Sequence, residues 1–182
     1  MTRRSSPLSY SYTVFDTRLG WIAIVASEQG LCKLTLPQPA PDKALTLIGD
    51  MLPKAVASVS SFKELIAHIE RYFEGEEVSF TDALDLRTST TFQQEVWKAT
   101  CTIPYGETRA YGWIAEQLGR PKSGQAVGKA LACNPLPIII PCHRVVGRAR
   151  GSLGGFSGGL ELKKRLLQLE ASTNGRAPSP EI

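Results

Sequence analysis

The chain has 182 residues, 42% hydrophobic and 21% charged, with a net charge of +4, which suits one folded unit of ordinary size or two small ones. No apolar run approaches the roughly 20 residues that would cross a bilayer, and no apolar segment follows Arg3 and Arg4 as a secretory signal would require. A membrane protein is thereby excluded, and a cytoplasmic location is expected.

The first half of the chain carries alternation and turn signals. Residues 11–36 alternate apolar and polar side chains with breaks at Thr17–Gly20 and Glu28–Gly30, the pattern of three antiparallel strands joined by tight turns. Two helices are predicted next, over 42–52 and over 60–74, the second with Phe62, Leu65, Ile66, Ile69 and Phe73 on one face. Residues 74–90 read as a connector with a short strand. His68 reads as a surface residue. A domain boundary is placed near 87–91, where the charge balance changes sign. Residues 1–90 hold nine Lys/Arg against eleven Asp/Glu, and residues 91–182 hold twelve against six, so the second half, at +6, is the one suited to a polyanion.

Beyond the boundary the pattern is mainly helical. Phe92, Val96, Ala99 and Cys101 suit a helix capped by Ser89 or Thr90 and stopped at IPYG. Thr108 is placed as the cap of a second helix, RAYGWIAEQLG, and RPKSG separates it from a third, QAVGKALACN. Two helices joined by a short turn have the shape of a helix-turn-helix, although taken alone such a pair is more often plain helical packing. The segment NPLPIIIPCHRVVG follows, then the glycine-rich loop GRARGSLGGFSGG and a last helix, LELKKRLLQLE. The expected fold class is α/β (α+β). A small antiparallel-sheet-plus-helix domain would occupy 1–88, a mainly helical domain with a helix-turn-helix 89–171, and a disordered tail 172–182.

Four cysteines without CxxC spacing, Cys32, Cys101, Cys133 and Cys142, with only His68 and His143 to complete a set, signal neither a disulfide framework nor a zinc site. No metal and no cofactor are expected. Cys142 stands apart. Burial against Ile138, Ile139 and Ile140 would raise its pKa and leave it inert, but His143 follows as a base and Arg144 adds positive charge. Pro135, Pro137 and Pro141 constrain the backbone that presents it. Adjacent residues of an extended segment face opposite ways, so His143 is expected to reach the sulfur through a water.

The run from FQQEVWKATC through NPLPIIIPCHRVVG to LELKKRLLQLE, residues 92–170, closely resembles the DNA-binding and active-site domain of the O6-alkylguanine-DNA alkyltransferases. The first third resembles that family's small domain in pattern only. The resemblance implies direct, single-turnover DNA repair, in which an alkyl group on the O6 of a flipped-out guanine, or the O4 of thymine, passes to a cysteine thiolate. It implies double-stranded DNA as partner, a monomer, and a nucleoid-associated cytoplasmic protein. Cys142 matches the acceptor, His143 the base acting through water, Glu170 the carboxylate that orients it, and Tyr111 the tyrosine that stabilises the leaving guanine. Ser157 matches the lid residue that hydrogen-bonds toward O6, Asn134 the residue tying the recognition helix to the active-site turn, and Arg144 a structural arginine. Val145, Phe156 and Gly158 match further substrate contacts, and Lys122, Gln125, Ala126 and Lys129 match DNA contacts. Taken singly, Tyr111 could be a core residue, Glu170 a solvated helix-end carboxylate and Ser157 ordinary loop polarity.

Two positions depart from the family pattern. Gln125 stands where an arginine usually enters the minor groove, and Phe156 where a tyrosine is common. The alternatives are a lesion-binding module that does not transfer, and a cysteine hydrolase, which would need an oxyanion site.

Overall fold

The computed structural model describes residues 9–149 and 152–173. Three strands, β1 (Tyr10–Phe15), β2 (Ile22–Ser27) and β3 (Gly30–Leu34), form the antiparallel meander predicted from alternation. Gly30 has φ 143, and a Cβ there would run into the Ala83 carbonyl, so the β2–β3 turn and the pairing of Leu31 beside Leu84 both require glycine.

A short fourth strand, β4 (Ala55–Ala57), pairs parallel with β1 and makes the sheet mixed, in the order β3-β2-β1-β4. It falls just after the predicted helix over 42–52. That helix, α1 (Pro41–Leu47), is shorter than expected, ending at Ile48 before a 3₁₀ turn at Leu52–Lys54. Next comes α2 (Lys63–Phe73), which buries Leu65, Ile69, Tyr72 and Phe73. The predicted strand of the connector is only an isolated bridge at Leu84. His68 is half-buried.

The second half is helical, as its pattern indicated. Helix α3 (Thr91–Thr100) begins with a capping box: Thr90 accepts from the Gln93 N–H while the Gln93 side chain accepts from the Thr90 N–H. Thr108 does not cap the next helix. Arg109–Ala110 instead form β5, parallel to β6 (Val145–Val146), so α4 (Tyr111–Gln117) starts at Tyr111. This pairing pulls the start of α4 against the strand that follows Cys142.

Helix α5 (Gly124–Ala132) packs on α3 and α4, and α6 (Leu160–Thr173) closes the domain. Residues 172 and 173, assigned to the tail from sequence, are helical; the remainder of that expected tail, 174–182, lies outside the described residues. The main apolar cluster is continuous across the two halves, joining Ile24, Leu65 and Tyr72 to Val96, Ile138 and Cys142.

Candidate active site

Residues 134–146 fold as nested turns. Asn134 Oδ1 accepts the Leu136 N–H at 3.0 Å, while Nδ2 donates to the Ile140 carbonyl at 2.9 Å and to Cys142 Sγ at 3.1 Å. The end of α5 is thus tied to the reactive turn through one side chain. Ile138 sits at φ 78, a conformation that costs a β-branched residue about 1–3 kcal/mol. Its side chain is 2% exposed, and burying an isoleucine contributes about 1.5–3 kcal/mol, enough to offset that strain.

Cys142 opens a 3₁₀ turn, Cys142–Arg144, and is 6% exposed. Burial raises its thiol pKa above the ordinary value, against the opposing effects of the Asn134 hydrogen bond, the Lys163 charge and the Cys142 and His143 backbone groups. A thiol held neutral in this way needs a base to become a nucleophile.

The residue expected to act as that base stands behind it. His143 is fully buried, with Nε2 at 2.8 Å from Glu170 Oε1 and 3.2 Å from the Tyr72 hydroxyl. Glu170 is also fully buried and accepts from Tyr72 at 2.7 Å, from the Gly106 N–H at 3.0 Å and from the Arg144 guanidinium at 2.9 Å. It is therefore no solvated helix-end carboxylate. Burial alone would raise its pKa, but the His143 hydrogen bond and the Arg144 charge outweigh burial and hold the group ionised.

An ionised carboxylate only accepts, so Nε2 carries the imidazole proton and Nδ1 presents its lone pair. Nδ1 is buried with no protein partner among the described residues, and no direct hydrogen bond joins the His143 ring to Cys142 Sγ there. Burial pushes the His143 pKa down, Glu170 opposes this, and the Arg144 and Lys163 charges add to it, so the ring rests neutral. Arg144 also donates to the Ile103 carbonyl at 2.8 Å, which fits the structural role expected of it.

A cavity of about 540 Å³ opens onto the sulfur, with Tyr111, Gln125, Gly128, Phe156 and Ser157 among its lining residues. Tyr111, the first residue of α4, donates to the Gly155 carbonyl at 3.2 Å and so touches the glycine-rich lid, not only its own helix. Asn134 reaches the sulfur without lining the cavity. Val145 and Gly158 do not line it either: Val145 is buried and its carbonyl faces Lys163, and Gly158 packs by Leu36 and Phe156. Lys122, Ala126 and Lys129 are exposed on and just before α5, where Gln125 alone of the four reaches the cavity rim.

Two residues of the site were missed from sequence. Lys163 is fully buried, donates to the Val145 carbonyl at 2.6 Å and the Gly155 carbonyl at 3.2 Å, and lies 6.0 Å from the Tyr111 and Phe156 rings. Burial lowers its pKa to about 8. Its position was legible, because 163, 166, 167 and 170 share one helical face. Tyr72 likewise continues the α2 face of Leu65 and Ile69.

Comparison with known proteins places this geometry. The family model described as "6-O-methylguanine DNA methyltransferase, DNA binding domain" matches residues 91–172, and "6-O-methylguanine DNA methyltransferase, ribonuclease-like domain" matches residues 10–86. A methylated-DNA–protein-cysteine methyltransferase of Mycolicibacterium paratuberculosis is 52% identical over 159 residues, covering 87% of this chain and 91% of that protein. One from Methanosarcina acetivorans is 41% identical over 161 residues, covering 88% and 98%. Among solved structures, Mycobacterium tuberculosis OGT in complex with DNA superposes with a TM-score of 0.76 at 40% identity, covering 93% of this chain and 96% of that one.

Proposed function

The chain belongs to the 6-O-methylguanine DNA methyltransferase family, and from that membership we propose that it repairs DNA by moving the alkyl group of O6-alkylguanine directly, and once, onto Cys142. Methyl transfer from methylated DNA to a protein cysteine is the activity its relatives are named for, and DNA binding belongs to the domain matched over residues 91–172. The observation that carries the assignment of the acceptor is the placement of a buried thiol at the base of a cavity, backed by a neutral histidine paired to an ionised carboxylate.

In this reading Nδ1 of His143 takes the Cys142 proton through one water, and Glu170 stabilises the imidazolium that forms. The thiolate attacks the alkyl carbon, the carbon–O6 bond breaks, and its electron pair leaves with the guanine. That anion takes up a proton from solvent as the imidazolium returns one to solvent, and Tyr111 stabilises the departing base by a hydrogen bond. Tyr111 must release the Gly155 carbonyl to do so. Ser157, on the lid, donates toward O6, while Lys122, Gln125, Ala126 and Lys129 meet the DNA. The product is a thioether with no carbonyl for water to attack, so each molecule acts once; O4-alkylthymine is a second substrate by the same chemistry.

We place the small domain at 1–88 and the acceptor domain at 89–171, acting as a monomer in the nucleoid-bearing cytoplasm. No helix among the described residues is long and apolar enough to cross a membrane.

The test is intact-mass analysis after incubation with duplex DNA containing O6-methylguanine. One methyl group per molecule, mapping to Cys142, is expected, and Cys142→Ala should keep DNA binding and lose transfer. An adduct on Cys101 or Cys133, or repeated turnover by substoichiometric protein, would falsify the assignment. Binding with no adduct would make the chain a lesion-binding module.

A further inference from the structure

We propose that Tyr72 is a positioning residue of the transfer site: by saturating Glu170 Oε1 it keeps His143 neutral and in the tautomer whose Nδ1 is free to take a proton. The proposal rests on the reading of Cys142 as acceptor and His143 as base. Tyr72 lies on α2, 71 positions before His143, outside the half of the chain that supplies the acceptor.

Its hydroxyl is 2.7 Å from Glu170 Oε1 and 3.2 Å from His143 Nε2, so one carboxylate oxygen receives both the phenol and the imidazole. Among the described residues Tyr72 alone bonds both members of the His143–Glu170 pair. The ring is 1% exposed and held by Phe73 at 5.6 Å, by Phe80 at 6.2 Å and edge-on by Tyr105 at 6.1 Å, so the donor cannot swing away. Burial first, and the Glu170 charge second, keep the phenol un-ionised and therefore a permanent donor.

The electrostatic consequence has a definite sign. The titratable and charged groups acting on His143 are Glu170 and Lys163 from α6, Arg144 from its own turn, and Tyr72 from α2. Of these, Glu170 is the one charge that favours the imidazolium, the Tyr72 oxygen being a neutral acceptor 3.2 Å from Nε2. A hydrogen bond donated to the Glu170 oxygen withdraws charge from the point His143 faces, so it weakens the attraction for a second proton while leaving the Nε2–H bond in place. Without the phenol, His143 would bind its second proton at higher pH and spend less time as a base.

The experiment compares wild type with Tyr72→Phe in reaction with free O6-benzylguanine from about pH 5 to 9, a window that brackets imidazole titration. Using the free base leaves DNA binding out of the measurement. The acid limb of the rate profile should move up by about one pH unit, giving a several-fold loss near pH 6 and little loss near pH 8. Histidine nitrogen spectra read the same change without any reaction, with His68 as internal control: the Nε2–H tautomer of wild-type His143 should give way to a protonated or mixed ring.

Placing 3-fluorotyrosine at position 72, a stronger donor of nearly the same shape, should move the limb to lower pH. An unmoved limb with an unchanged His143 spectrum overturns the proposal, as does a loss that is equal at every pH, since that is what a purely structural role produces. If wild type itself fails to take the benzyl group, the acceptor reading falls instead, and the nitrogen spectra still decide the role of Tyr72.

Discussion

Glu170 receives hydrogen bonds from Tyr72, Gly106, His143 and Arg144 while fully buried. Glu170→Gln keeps the shape but removes the charge that compensates a guanidinium whose side chain is 11% exposed, and it turns one acceptor into a donor facing other donors. Breaking a buried pair from one side costs about 3–5 kcal/mol, so urea unfolding should shift to clearly lower denaturant. Under conditions where the variant is still folded, its reaction with O6-benzylguanine should also be slower, because the imidazole loses the acceptor that fixes its tautomer. Wild-type stability together with a wild-type rate would show that the carboxylate neither holds Arg144 nor orients His143. Cys142, His143 and Glu170 were all named from the sequence, Glu170 only because PCHRV and the last helix match the family's motif in order and spacing. Tyr72 and Lys163 were missed although both positions fall on buried helical faces, because pattern reading scores a polar residue as exposed, whereas a long side chain can bury its stem and deliver only its tip to the site.

Element by element, what the sequence hid are pairings decided by distant partners. Alternation identified β1 to β3, but β4 has three residues, leaves Val56 68% exposed, and exists because the β1 edge accepts it. The start of α4 was misplaced for the same reason, since β6 claims Arg109 and Ala110 before Thr108 can cap anything. The capping box of α3 is a local feature and was readable from Thr90. The lid yields a prediction at this scale. Gly154 has φ 66, and a Cβ there would lie 2.6 Å from Tyr111 Cε2 and 2.7 Å from its hydroxyl. Gly154→Ala must displace either the lid or the Tyr111 ring, beyond about 1 kcal/mol for the left-handed backbone itself. Transfer from the free base and from duplex DNA should slow alike by several-fold, with only a small drop in Tm; an unchanged rate for both substrates would show that Tyr111 is not held by the lid.

Across the whole molecule, one apolar cluster joins the sheet and α2 to the helical second half, so the site takes its histidine, carboxylate and arginine from one half and the phenol of Tyr72 from the other. The net positive charge is concentrated in residues 91–182, with exposed Lys122 and Lys129 bracketing Gln125 at the rim of the cavity. Flipping a guanine out of the duplex leaves a gap and an orphaned cytosine, and unstacking costs a few kcal/mol that an inserted side chain partly offsets. The family's usual arginine does this with a planar cation that stacks, hydrogen-bonds and meets the phosphates. Gln125 keeps an amide plane and its hydrogen bonds but brings no charge, and neither lysine occupies the inserting position. The flipped state should therefore be less stable by about 1 kcal/mol, or several-fold in rate at subsaturating DNA. Gln125→Arg should accelerate repair of O6-methylguanine in duplex DNA and leave reaction with the free base unchanged. Both rates are to be measured at one salt concentration, because phosphate contacts weaken steeply with salt. Equal duplex rates for the two proteins would mean that the glutamine fills the gap as well as an arginine does, and a parallel rise with the free base would place the effect in the pocket and not in base flipping.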